Sequence, residues 1–335
     1  MAHEITDQDG VFSVREPMWH GLGTVLDGYP SREEAQPLVH GWEPVPEPVY
    51  RKRFKTERVN LPPRVVYEEI KDSYLNARSD TDESLGVVPS TFVTVTNGEL
   101  WDIAEIIEGQ DKGSVMYETG GSLKGGRKVW LLLRLRDPIE VAGDPRGATI
   151  PYYGLQNSHD TSGSFRGQAT LTRIVCANTS QAADIESQAR GTSFEFHHTK
   201  NIRVRVEQAQ QALAGWRAAL AVWQEKSEAM VREHVTDDQK ELFIREFIPM
   251  PPPHATSDIV VANVEKARIQ LRDILGGVTC ERISNSTYGL VQASVEYLNH
   301  VRKAQSNESR FKRAYLDRNT ITADAVRIAR EVIHA

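Results

Sequence analysis

Two cysteines in 335 residues, Cys176 and Cys280, are too few for a disulfide framework or a four-cysteine zinc site. No apolar run approaches the ~20 residues that a membrane span needs, so no membrane partner is expected. The opening stretch MAHEITDQDG is acidic and polar and lacks the basic and apolar regions of a secretory signal. A reducing cytoplasm is the expected compartment. No internal repeat is present.

Charge is present, and it is segregated. The net charge is -6, yet residues 1–49 carry 9 acids against 2 bases and residues 65–111 carry 11 against 2. Between them YRKRFKTERVNLPPR (50–64) carries 6 bases and 1 acid, and residues 112–205 carry 13 bases and 8 acids. The remainder balances at 17 and 17. Two basic blocks in an acidic first half either pair with the acids of the same fold or serve an anionic partner.

The residue pattern divides the chain in three. Residues 1–64, rich in Pro, Gly and Trp, read as extended segments and turns. Residues 65–200 read as an α+β sheet core. A short helix is expected over 64–78, a loop at SDTDESLG, a strand at FVTVT (92–96), and a helix from Thr96 or Asn97 with the stripe Leu100, Ile103, Ala104 and Ile107. SVMYETGGSL and KVWLLLRLRD flank KGGR, whose Gly125-Gly126 pair predicts a hairpin. A second hairpin-like pair surrounds GDPRG, GQATLTRIV is a further strand, CANTSQAADIESQAR a helix and TSFEFHHT a last short strand. Residues 201–335 read as a helical region packing on the core. Ile202, Val206, Ala209, Leu213, Trp216, Leu220, Trp223 and Met230 hold heptad spacing, an apolar seam that predicts self-association. Helices over 236–248 and DIVVANVEKARIQLRDILGG follow, then YGLVQASVEYLNHVRKA with the stripe Tyr288, Val291, Val295, Leu298 and Val301, and finally ITADAVRIAREVI. The expected class is α+β: a mostly antiparallel sheet with helices, then a helical C-terminal half.

Candidate chemistry is sparse. GGSLKGGRK has the glycine separation of a phosphate loop, but Arg127 and Lys128 follow where Lys and Ser or Thr would stand. His159-Asp160, with one of His197 or His198, could form a metal or acid-base site. No third ligand stands at a diagnostic spacing, so no metal and no cofactor is expected. Cys176 falls near a helix start, where a thiol is activated, but its apolar neighbours favour burial. The more coherent set is cationic and aromatic: Arg51, Lys52 and Arg53, then Lys128, Arg134, Arg136, Arg166 and Arg173 with Tyr152 and Phe165 in neighbouring strands. Arginines neutralise phosphates and rings stack on unpaired bases, so these residues are the expected nucleic-acid contacts.

The succession MWHGLGT, LGVVPSTFVTVTN, GGSLKGGRKVWLLLRL, NSHDTSGSFRGQATLTRIVCANT and TYGLVQASVEYLNHVR resembles the phage/plasmid-like protein family, built on a bacterial domain of unknown function. The resemblance implies a protein of phage or plasmid biology and supplies no catalytic residues. The hairpin-rich stretch 113–190 is also similar to the core of single-strand annealing proteins, which assemble as rings or filaments. The function expected is therefore non-enzymatic: an oligomeric single-stranded DNA-binding or strand-annealing protein of DNA recombination. A metal-dependent nuclease or hydrolase, or a structural assembly protein of a mobile element, is the alternative.

Overall fold

In chain order the strands are β1 (Val11–Val14), β2 (Thr24–Leu26), β3 (Pro44–Lys55), β4 (Arg64–Arg78), β5 (Ser84–Pro89), β6 (Val115–Leu123), β7 (Lys128–Leu135), β8 (Thr149–Ser158), β9 (Phe165–Arg173), β10 (Asn178–Gln181) and β11 (Ser193–Phe196). The helices are α1 (Arg32–His40), α2 (Asn97–Gly109), α3 (Trp216–Arg232), α4 (Asp237–Phe247), α5 (Asp258–Leu275), α6 (Thr287–Glu296) and α7 (Ile321–Ile333). This computed structural model describes residues 9–15, 23–55, 64–109, 113, 115–145, 147–173, 178–181, 193–200, 216–252, 257–302, 309 and 321–334. The class is α+β.

The large sheet runs β10-β9-β8-β7-β6-β1-β2, with β11 also pairing β9. It is mixed, which corrects the expected antiparallel pattern in one place: β1 and β2 pair parallel, while the other neighbours pair antiparallel. Lys124, Gly125 and Gly126 take φ of 59°, 70° and 93° and reverse the chain between β6 and β7, as the glycine pair predicts. Asp9 caps this turn. Its carboxylate accepts the amides of Gly125 (3.0 Å) and Gly126 (2.9 Å) and the Ser122 hydroxyl (2.8 Å).

Strand alternation sorts the side chains. Val129, Leu131 and Leu133 of β7, Tyr153 and Leu155 of β8, and Phe165, Ala169 and Leu171 of β9 face one continuous core shared with α1, α2 and the C-terminal helices. Trp130, Leu132 and Tyr152 face the other way, into a smaller cluster with Val11 and Leu123. Both faces of the sheet's centre are thus buried. In the helical region α6 is covered on every side, with Thr287 through Val295 all buried, and a π-helical turn, Tyr297–Val301, continues it.

Several expectations give way to the structure. Residues 64–78 form strand β4 rather than a helix. The burial of RVVYEEIK alternates with period two, and a long partner strand is available in PVPEPVYRKRFK. Together with β5 they make a second, antiparallel sheet in the order β3-β4-β5, so the boundary expected at residue 64 falls on the first residue of a strand. Pro44, Pro46 and Pro48 put the missing donors on one side of β3, which an edge strand tolerates. SDTDESLG is only partly loop, since β5 begins at Ser84. The N-terminal region also holds a helix, α1, opened by a capping box of Ser31 and Glu34. Asn178–Gln181 is strand β10, not helix, because it completes the ladder of β9. The GDPRG pair reduces to a single bridge, Ile139 to Thr149.

FVTVT is not a strand either. The carbonyls of Phe92, Val93 and Val95 bond to side chains, as described below, and that of Thr96 accepts the Leu100 amide at the start of α2. Of the heptad seam, Leu220, Trp223 and Met230 are buried within the chain itself, and the remaining positions lie outside the described residues or side chains. No helix among the described residues is long and apolar enough to cross a membrane.

Sheet packing depends on close approach at Gly167. A Cβ built there would stand 2.5 Å from Phe194 and 2.7 Å from Tyr153, both ring atoms of the core. Gly167→Ala is therefore expected to cost about 1–3 kcal/mol in a denaturant titration. At Gly28 a Cβ meets nothing within 4 Å, so Gly28→Ala serves as the control and should stay within about 0.5 kcal/mol of the parent.

Candidate nucleic-acid interface

Strands β3 and β4 form a two-stranded ribbon whose far part, from Tyr50 to Lys55 against Arg64 to Glu69, is largely exposed. Register sorts its residues onto two unlike faces. Tyr50, Lys52 and Phe54 share one face with Val65 and Tyr67, because Lys52 pairs with Tyr67 and Phe54 with Val65. Three rings stand open to solvent there: Tyr50 is 53% exposed, Phe54 65% and Tyr67 68%. The Lys52 ammonium lies 5.3 Å from the Phe54 ring centre.

The opposite face is cationic. Arg51, Arg53 and Lys55 all reach one carboxylate, Glu68, at 2.9, 3.5 and 3.6 Å. The hydrogen bond from Arg51, with the charges of all three bases, holds Glu68 below the ordinary carboxylate range. One acid cannot neutralise three bases, so the face keeps a positive excess. Of the expected contacts, Arg51, Lys52 and Arg53 thus fall on an open surface. Phe54 and Lys55, of the same RKRFK run, are exposed with them, as are Tyr50 and Tyr67, which sequence reasoning missed. The available signal was the alternation of YRKRFK against RVVYEEIK.

The aromatic platform expected on the large sheet does not exist. Phe165 is fully buried in the main core and Tyr152 packs with Trp130 and Leu132, so neither ring can stack on a base. A sheet buried on both faces has no free aromatic surface. Arg134 is also mostly buried, 3.7 Å from Glu118 and bonded to the Tyr29 hydroxyl. Arg136 is exposed just beyond β7, and Arg173 ends β9 with its side chain outside the described ones.

Lys128 and Arg166 do come together. They line a polar cleft of about 420 Å³ at the β8–β9 turn, with Gln156, Ser158, residues 161–164, Glu195 and His197. Lys128 sits opposite Ser158, Gln156 opposite Arg166, and Glu195 opposite Arg166 on the far side, which spreads them across four adjacent strands. Gln156 Oε1 accepts from Arg166 Nε (2.9 Å) and Nη2 (2.6 Å), and Ser164 donates to Glu195 (2.6 Å). Asp160 orders the turn by accepting from the Ser158 hydroxyl (2.7 Å) and the Ser162 amide (2.8 Å). Burial alone would raise the Asp160 pKa. The serine hydrogen bonds and the Lys128 charge overcome it and hold the group below its ordinary value.

His159 and His198 are buried and tied into the packing around residues 92–97. His198 Nδ1 bonds to the Val93 carbonyl (2.9 Å), Asn157 Nδ2 to that of Val95 (3.0 Å), and His159 Nε2 to Asn97 Oδ1 (3.0 Å). Tyr74 donates to the Phe92 carbonyl (2.7 Å), while Thr94 donates to Asn76 Oδ1 (2.9 Å). Asn97 Nδ2 donates to Trp42 O, so Asn97 Oδ1 is an acceptor and His159 carries its proton on Nε2. His197 is exposed at the cleft rim, away from His159 and His198 in role. Among the described residues no three His, Cys, Asp or Glu side chains group so as to hold a metal ion. Cys280 is buried, and Cys176 lies outside the described residues.

Residues 84–319 match the family described as Domain of unknown function (DUF932). The chain belongs to that family. Its DUF932 segment begins at β5, so it contains the cleft and leaves the ribbon N-terminal to it. No curated protein and no solved structure matches the chain.

Two fully buried histidines set an acid limit on this fold. Burial pushes His40 down to about 4 and His159 down to about 3, from an ordinary 6.5. The folded chain keeps both neutral, whereas the unfolded chain protonates them first. Their contribution is complete above pH 6.5, falls as the pH drops below it, and is exhausted near 4 for His40 and 3 for His159. Each adds at most about 1.4 kcal/mol per pH unit to the slope of stability. Unfolding titrations between about pH 6.5 and 4 should show this loss, and His159→Gln should reduce the slope by close to one proton; an unchanged slope would refute the assignment.

Proposed function

We propose that the protein binds single-stranded nucleic acid along the β3–β4 ribbon. Bases stack on Tyr50, Phe54 and Tyr67, Lys52 on the same face takes a phosphate, and Arg51, Arg53 and Lys55 add cations that reach the backbone around the edge of the ribbon. The observation that carries this reading is the exposure of three rings on one face of a ribbon whose other face holds three bases around one acid. Stacking is tolerant of sequence because every base has a π face, and backbone cations supply affinity that salt removes. The chain's net charge of -6 restricts binding to local basic surfaces such as this one and keeps it salt-sensitive.

DNA is the favoured strand. The phage or plasmid setting, strand annealing in recombination, self-association and a cytoplasmic location extend the reading along the lines that the resemblance implies. The nuclease alternative lacks a supporting observation among the described residues, since no metal-holding group is assembled there.

Fluorescence anisotropy with single- and double-stranded oligonucleotides across a salt series tests the proposal. Single strands should bind more tightly than duplex. Tyr67→Ala should cost about 1–3 kcal/mol of binding. Replacing Arg51, Arg53 and Lys55 by Gln should flatten the salt dependence by roughly 0.7 per lost phosphate contact. No binding at low salt, or affinity indifferent to both sets of substitutions, would overturn it.

A further inference from the structure

We infer that the cleft at the β8–β9 turn takes one nucleotide of the bound strand, its phosphate on Lys128 and Arg166 and the amino group of its base on Glu195. The inference deepens the ribbon reading and rests on it. A volume of about 420 Å³ lies within the range of small-molecule sites, which runs from ~300 to 1,000 Å³.

The lining decides what kind of molecule fits. A site for a bare anion would gather donors and exclude carboxylates, yet Glu195 stands directly across the ladder from Arg166. A ligand that carries an anion at one end and N–H donors at the other satisfies both. Cytosine and adenine present an exocyclic amino group that a carboxylate accepts. Thymine presents a carbonyl oxygen at the same edge, which Glu195 would repel. Both protein groups are held in place before any ligand arrives: Gln156 takes two of the guanidinium donors, and the Ser164 hydroxyl fixes one oxygen of Glu195. Such fixing lowers the cost of ordering on binding.

The cleft is also next to the root of the ribbon. The Asn76 side chain of β4 donates to the His159 carbonyl (2.8 Å), one residue beyond Ser158. Gly86 of β5 lies so close to the turn that a Cβ there would stand 2.9 Å from the Asp160 Cβ. From Tyr67 to the buried Asn76 β4 runs nine residues, about 30 Å at ~3.3 Å per residue, which is the scale of separation a bound strand has to span between the rings and the cleft.

Binding of oligo-dC, oligo-dA and oligo-dT by anisotropy at low salt reads this directly, alongside saturation-transfer NMR with dCMP, dTMP and inorganic phosphate. The dC and dA strands should bind roughly ten-fold more tightly than dT, and dCMP should give contacts that phosphate does not displace at equal concentration. Glu195→Gln is nearly isosteric at an exposed position. It should abolish most of that preference while leaving the thermal midpoint unchanged, whereas Lys128→Gln and Arg166→Gln should weaken all three strands. Equal affinity for dC and dT in the parent chain, or displacement of dCMP by phosphate alone, overturns the inference. Strand binding that depends on Tyr67 but shows no base preference defeats the cleft and spares the ribbon. Mononucleotide binding in a chain indifferent to the ribbon substitutions does the reverse.

Discussion

The extended stretch from Phe92 to Asn97 has carbonyl groups that no neighbouring strand reaches, and buried carbonyls must find donors. Three of them find donors in side chains drawn from distant parts of the chain: Tyr74 of the second sheet reaches the Phe92 carbonyl, His198 that of Val93, and Asn157 at the end of β8 that of Val95. Asn76 and His159 tie in through the Thr94 and Asn97 side chains. The two sheets meet across this seam. Leaving any one of these groups unpaired costs ~1–3 kcal/mol, so the seam holds the ribbon at a fixed angle only while every partner stays. It also explains why the histidines are neutral. Each ring donates one proton to a fixed acceptor, and burial makes a second proton expensive.

The ribbon beyond that seam is stabilised mainly by its own ladder and by Glu68. Exposed ion pairs contribute little apiece, typically under ~1 kcal/mol, so Glu68 acts mainly to keep three like charges from driving one another apart. The alternating prolines of β3 and the lysines and arginines further along suit a strand at an edge, where an unprotected ladder would recruit other chains.

Much of the architecture was legible where period and turn chemistry agreed. Gly125-Gly126 marked a hairpin, the stripe of Leu100, Ile103, Ala104 and Ile107 marked α2, and the helix expected over 236–248 is α4. The errors have a common physical origin. FVTVT has every local property of a strand, but what decides is the donor that meets the Phe92, Val93 and Val95 carbonyls, and those donors lie far away in sequence. RVVYEEIK was ambiguous until its partner strand was known. Within the candidate site, the basic residues Arg51, Lys52, Arg53, Lys128 and Arg166 could be found from charge alone. The rings could not be found so readily: Tyr152 and Phe165 differ from Tyr50 and Tyr67 only in what the rest of the fold lays over them.

The glycine turn at 125–126 has adjacent amides in a left-handed conformation, the geometry with which proteins commonly cradle anions. Here the cradle is filled from within, because the Asp9 carboxylate occupies both amides and the Ser122 hydroxyl. The loop that looks most like a phosphate receptor in the sequence is therefore already saturated by a counterfeit ligand, tethered and always at hand. An approaching phosphate would have to evict it, so incoming polyanions are left to cationic side chains elsewhere on the surface.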